Sequence, residues 1–112
     1  MWLCVGYREA KYLVPAEGVD TLGGLAATPP PTSKLSLIDD QGARYFVWIG
    51  KARKVLLASG PPVYVFDPSG KLVGRSIDIG DSADRQMLRY FRMSLEGREV
   101  SFSDALKLVS PR

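Results

Sequence analysis

Residues 61–80 read PPVYVFDPSGKLVGRSIDIG, and this stretch decides the fold class. Val63, Tyr64, Val65 and Phe66 form an unbroken run of β-branched and aromatic residues, the pattern of a strand. Asp67, Pro68, Ser69 and Gly70 are turn residues. Proline presets φ and glycine accepts φ > 0. Apolar residues return from Leu72 to Ile79 before Gly80 and Asp81 end the run. Residues 63–67 and 72–79 are therefore expected to form an antiparallel hairpin.

Working upstream, Leu35 and Leu37 alternate with Lys34 and Ser36, residues 39–42 (Asp, Asp, Gln, Gly) form a turn, and a strand follows over 44–49. That is a second hairpin signal. The continuous apolar run 45–49 is expected to be central in the sheet. A shorter apolar run covers 55–58. At the start of the chain, 2–5 and 12–14 read as two short strands with residues 6–11 turning between them, and Pro15 ends the pair. Residues 15–33 carry Gly18, Gly23 and Gly24 and then Pro29, Pro30 and Pro31, which reads as an internal Gly/Pro-rich loop with a helical turn near 19–22.

Downstream, a helix is expected over 83–95, capped by Asp81 or Ser82, with Asp84 in its first turn and Gly97 just beyond. Residues 99–102 suit a last short strand. A second, short helix starts at Ser101 or Ser103 and runs through Val109, with Pro111 past its end. The whole chain, 1–112, is read as a single α+β domain: an antiparallel sheet of five or six strands with two C-terminal helices.

From Pro61 through Arg92 the outline is proline, strand, D-x-x-G turn, returning strand, helix. It is similar to the second half of a thioredoxin-like domain, over about a third of the chain. The Cys-x-x-Cys pair of that family has no counterpart here, and no strand–helix–strand unit of the right length comes first. The likeness therefore carries no family assignment and no redox role.

Composition narrows the function classes. The 112 residues contain no histidine and one cysteine, with 46% hydrophobic and 24% charged residues and a net charge of +3. Histidine is the usual acid–base group near neutral pH and the commonest metal ligand. Without it, an enzyme would rely on a carboxylate and tyrosine in a cleft, and a zinc site would lack ligands. Cys4 cannot form an intramolecular disulfide and is read as a buried, inert thiol between Leu3 and Val5. The apolar start of the chain stops at Arg8 and Glu9, too short for a signal peptide core, and no apolar run is long enough for a membrane helix. The expected location is the cytoplasm, with no membrane, metal or cofactor.

Three constellations were weighed for chemistry. At about 100° per residue, Arg85, Arg89 and Arg92 fall on one side of the 83–95 helix and Met87, Leu88, Phe91 and Leu95 on the other. Three guanidinium groups in a row can grip phosphates or carboxylates, and Lys51, Arg53 and Lys54 would extend the patch if the fold brings them near. A charged outer face that merely keeps the helix soluble is the plainer reading. The second constellation, Phe46 with Trp48 and Tyr64 with Phe66, would be a base-stacking platform if exposed and ordinary core if covered. The third, Asp78, Asp81 and Asp84, lacks the spacing of a calcium loop and is explained by a strand end and a helix cap.

The balance of these features favours a non-enzymatic protein-binding module of adaptor, regulator or inhibitor type, with a protein partner or self-association. The alternatives are a nucleic-acid-binding protein that uses the basic helix face, and an enzyme lacking histidine.

Overall fold

The computed structural model describes residues 2–7, 10–15, 19–27, 34–50, 52–54, 61–76 and 85–109; along 2–7, 10–15 and 52–54 it is the strand backbone that is described. The fold is α+β, with eight strands in two antiparallel sheets and three helices among these residues. Strands β1 (Trp2–Tyr7), β2 (Ala10–Pro15) and β5 (Ala52–Lys54) form one sheet in the order β1-β2-β5. Strands β3 (Lys34–Asp40), β4 (Ala43–Ile49), β6 (Val63–Phe66), β7 (Leu72–Ser76) and β8 (Arg98–Glu99) form the other, in the order β7-β6-β4-β3-β8. The expected central strand, β4, is central.

The hairpins are tighter than the sequence suggested. Tyr7 pairs with Ala10, so the first turn is much shorter than residues 6–11. Asp39 and Asp40 belong to β3, because Asp40 pairs with Ala43 and leaves only Gln41 and Gly42 as the loop. Both have positive φ, 55° and 85°, the signature of a type I′ turn whose twist matches the flanking strands. The turn between β6 and β7 forms as expected. The Asp67 carboxylate accepts from the Ser69 amide at 2.9 Å, the Ser69 hydroxyl at 2.6 Å and the Lys71 amide at 3.0 Å, and Gly70 takes φ 86°.

Helix α1 (Leu22–Ala27) lies inside the segment expected to be mainly loop, further along than the anticipated turn at 19–22. Its two glycines disfavour helix, but Thr21 Oγ1 accepts from the Gly24 amide at 2.9 Å, and Leu22 and Leu25 are fully buried. Tertiary burial, at about 1.5–3 kcal/mol per large apolar side chain, outweighs the propensity cost. Helix α3 (Phe102–Leu108) starts as read, with the Ser101 hydroxyl accepting from the Asp104 amide at 3.1 Å. The proposed caps at 81–84, Asp78 and the apolar run 55–58 lie outside the described residues.

The five-stranded sheet is the middle of three layers. On one face, Leu35, Phe46, Trp48, Tyr64 and Phe66 pack against Leu22 and Leu25 of α1 and Ala105 of α3. On the other, Ile38, Val47, Val63 and Val65 pack against Met87 and Tyr90 of α2 (Arg85–Leu95). All four residues of β6 are buried, as its unbroken apolar run requires. The aromatic set is therefore core and not a stacking platform: Trp48 and Tyr64 meet edge-on at 5.6 Å between ring centroids, and burial pushes the Tyr64 hydroxyl pKa up. The resemblance noted upstream ends here too, since β3 and β4 form a hairpin where that family has a strand–helix–strand unit.

Candidate docking surface

Helix α2 contains no glycine, proline or β-branched residue, which favours an uninterrupted helix. It ends where the Glu96 amide bonds the Met93 carbonyl and the Gly97 amide bonds that of Ser94. Met87, Tyr90 and Ser94 are buried against the sheet. Of the expected inward face, Met87 is buried and Leu88 and Phe91 pack half-buried against the same cluster; the correction is at Leu95, which is 58% exposed, while Tyr90 and Ser94 point in. Two contacts make those polar side chains acceptable inside. The Tyr90 ring lies 5.1 Å from that of Tyr45, and the Ser94 hydroxyl donates to the Phe91 carbonyl at 2.6 Å.

With that phase, the outward ridge of α2 carries Arg85, Arg89, Arg92 and Glu96, all exposed. The three expected arginines are thus brought together on one face, but they are not equivalent. Arg89 forms a two-pronged ion pair with Asp40 at the end of β3: Nη1 donates to Oδ2 at 3.0 Å and Nη2 donates to Oδ1. Its guanidinium also lies 5.8 Å from the centre of the Tyr90 ring. The hydrogen bond from Arg89 holds the Asp40 carboxyl below its ordinary pKa, and the same bond holds the Arg89 guanidinium above its own. Hydrogen bonding to Tyr90, with repulsion from its charged form and partial burial, holds the Tyr45 hydroxyl above its usual value. Asp40, Tyr45 and Tyr90 are thus tied to one another and to Arg89, and Tyr45 is pushed away from the phenolate a nucleophile or base would need.

Arg85 and Arg92 form no ion pair among the described residues. Together with Leu88, Arg89 and Met93 they line a shallow groove of about 560 Å³ along the outside of α2. A second hollow, of about 460 Å³, shares Arg92 and Met93 and continues past Glu96 to Asp39 and the edge of β3. The resulting strip runs from Arg85 past Leu88, Arg89, Arg92 and Met93 to Glu96 and Asp39, and Asp39 shares the adjoining hollow with Arg44 and Arg98. Sequence reasoning found its arginines. Leu88, expected inward, packs half-buried against the core cluster and also reaches the groove, as does Met93, which the sequence reading missed and which a helical projection places next to Arg89. Asp40 gave no sequence signal.

Of the proposed extension, Arg53 and Lys54 lie on β5, which pairs with β2 in the three-stranded sheet, and Lys51 lies outside the described residues. The backbone of Cys4 lies in β1, opposite Leu13. Among the described residues no three of His, Cys, Asp and Glu gather closely enough to hold a metal ion, and no helix is long and apolar enough to cross a membrane. The sequence matches no protein family, and neither a curated protein nor a solved structure is significantly similar to it.

Proposed function

We propose that this chain is a non-enzymatic protein-binding module whose partner docks on the outer face of α2. One observation carries the reading: Arg85 and Arg92, exposed and without carboxylate partners among the described residues, stand with Arg89 around a groove that Leu88 and Met93 also line. Apolar contact ringed by guanidinium groups is the composition of protein interfaces, in which arginine and methionine are enriched. The same ridge favours nucleic acid less. Asp40 already neutralises its middle arginine, Glu96 follows Arg92 just past the end of the helix, and the four rings of the expected stacking platform, Phe46, Trp48, Tyr64 and Phe66, are core.

The test places a photo-crosslinking residue at position 95 on α2 and, as a control, at position 106 on α3, on the opposite layer; both side chains are exposed. A protein captured from position 95 is then purified and titrated against the wild type and the Arg85→Glu/Arg92→Glu variant. The proposal expects capture from 95 and not 106, and about tenfold weaker binding by the variant, the usual scale for a lost charged rim contact or two. Equal affinity of wild type and variant would overturn it. So would oligonucleotide binding that survives near-physiological salt, since phosphate-driven contacts otherwise fall steeply as salt rises.

A further inference from the structure

Resting on that reading of α2, we infer that the occupant of the groove is an amphipathic helix with two carboxylates seven residues apart on either side of an apolar contact. Arg85 and Arg92 are themselves seven residues apart, two helical turns, so their Cα atoms are separated by about 10.5 Å along the axis. A second helix lying nearly parallel or antiparallel in the groove, at the shallow crossing angle of about 20° common for packed helices, repeats that interval only at its own positions i and i+7. Carboxylates there meet both guanidinium groups in the two-pronged geometry that arginine favours.

The middle of the groove sets the residues between. Arg89 is held by Asp40 through two hydrogen bonds, so no further anion is called for at the centre. Leu88 and Met93 offer an apolar floor there, and the flexible thioether of Met93 adapts to the side chain it meets. The far end sets a limit. Glu96 lines the continuation of the strip directly after Arg92, while Asp39 beyond it faces Arg44 across the strand pair; Glu96 suits a partner whose acidic character stops, or reverses, after the second carboxylate. A polyanion such as nucleic acid does not have that pattern.

The probe is a capped, fluorescein-labelled helical peptide with two glutamates seven residues apart and leucines between them, read by fluorescence anisotropy. A second peptide replaces both glutamates by lysine, and a labelled single-stranded oligothymidine is the third probe. The protein is the full chain, as wild type and as Arg85→Glu/Arg92→Glu; both positions are exposed, and far-UV circular dichroism checks that the variant folds. The inference expects saturable binding of the glutamate peptide by the wild type, about tenfold weaker for the variant, and recovery when the lysine peptide meets the variant. Equal binding of the two peptides by the wild type overturns the acidic occupant. It leaves the docking surface itself standing if the captured partner still depends on Arg85 and Arg92. Absence of binding by either peptide overturns the inference in the same way. Tight oligothymidine binding at near-physiological salt overturns both the inference and the reading it rests on.

Discussion

Replacing Ser36 by alanine should stabilise this protein. Ser36 sits in β3, opposite Val47 on one side and Glu99 on the other. It alternates with Leu35 and Leu37, which face α1 and α3, so its side chain points into the α2 layer with Ile38. The residue is completely buried, and its hydroxyl has no hydrogen-bond partner among the described residues. A buried hydroxyl left unpaired costs about 1–3 kcal/mol. Alanine removes that cost and opens a void no larger than one water-sized sphere, about 10–15 Å³. At about 24 cal/mol per Å³, such a void costs only ~0.3 kcal/mol. The expected net gain is therefore about 1 kcal/mol or more, or a rise in Tm of about 4 °C for a domain of this size. The comparison that isolates the cause is Ser94→Ala. Ser94 is equally buried, but its hydroxyl is bonded to the Phe91 carbonyl, so its loss costs about 0.5–1.5 kcal/mol, partly offset by alanine's helix preference. Urea and thermal unfolding of the two variants should place Ser36→Ala above the wild type and Ser94→Ala near or below it. A Ser36→Ala protein no more stable than Ser94→Ala would refute the reasoning.

Other positions give equally definite expectations. At Gly50 an added Cβ would lie 2.6 Å from both Pro62 Cγ and Trp48 Cη2; neither ring can swing away, so Gly50→Ala should lower stability by about 1–3 kcal/mol in urea unfolding. Ser101→Ala removes the cap on α3 and should cost about 1 kcal/mol by the same measurement. The Asp40–Arg89 pair lowers the folded-state pKa of Asp40. Its stabilisation is thus present above the unfolded carboxyl's pKa and is lost as pH falls below about 4, through the lower folded value. Asp40→Asn should reduce the midpoint at neutral pH slightly and flatten this acid limb, and high salt should shrink the difference.

The parts of this fold legible in the sequence are those set by neighbours along the chain. The turn ending at Gly70 is written in consecutive residues, the unbroken apolar run of β4 announces a central strand, and Ser101 is one of the two serines that fit the start of α3. What was misread depends on residues far apart. Leu22 and Leu25 look like loop beside two glycines until the sheet covers them. The inward face of α2 was turned toward Leu95 because periodicity counts Tyr90 and Ser94 as polar. Their burial rests on the Tyr45 ring and on a hydrogen bond inside the helix. Of the docking surface, the arginine ridge was visible as a spacing, whereas the distinction between Arg89 and its neighbours comes from Asp40, 49 residues away. That distinction turns a uniform basic stripe into one paired arginine between two that have no ion pair among the described residues.

The central claim is that the outer face of α2 is the contact surface. It is tested most directly by titrating the ¹⁵N-labelled protein with the two-glutamate helical peptide and following the backbone amides by NMR. The account predicts that the largest shifts cluster on residues 85–97, while the amides of α3 on the opposite layer stay still. Shifts centred on α3 or on the β7 edge, or uniform small shifts without saturation, would contradict it.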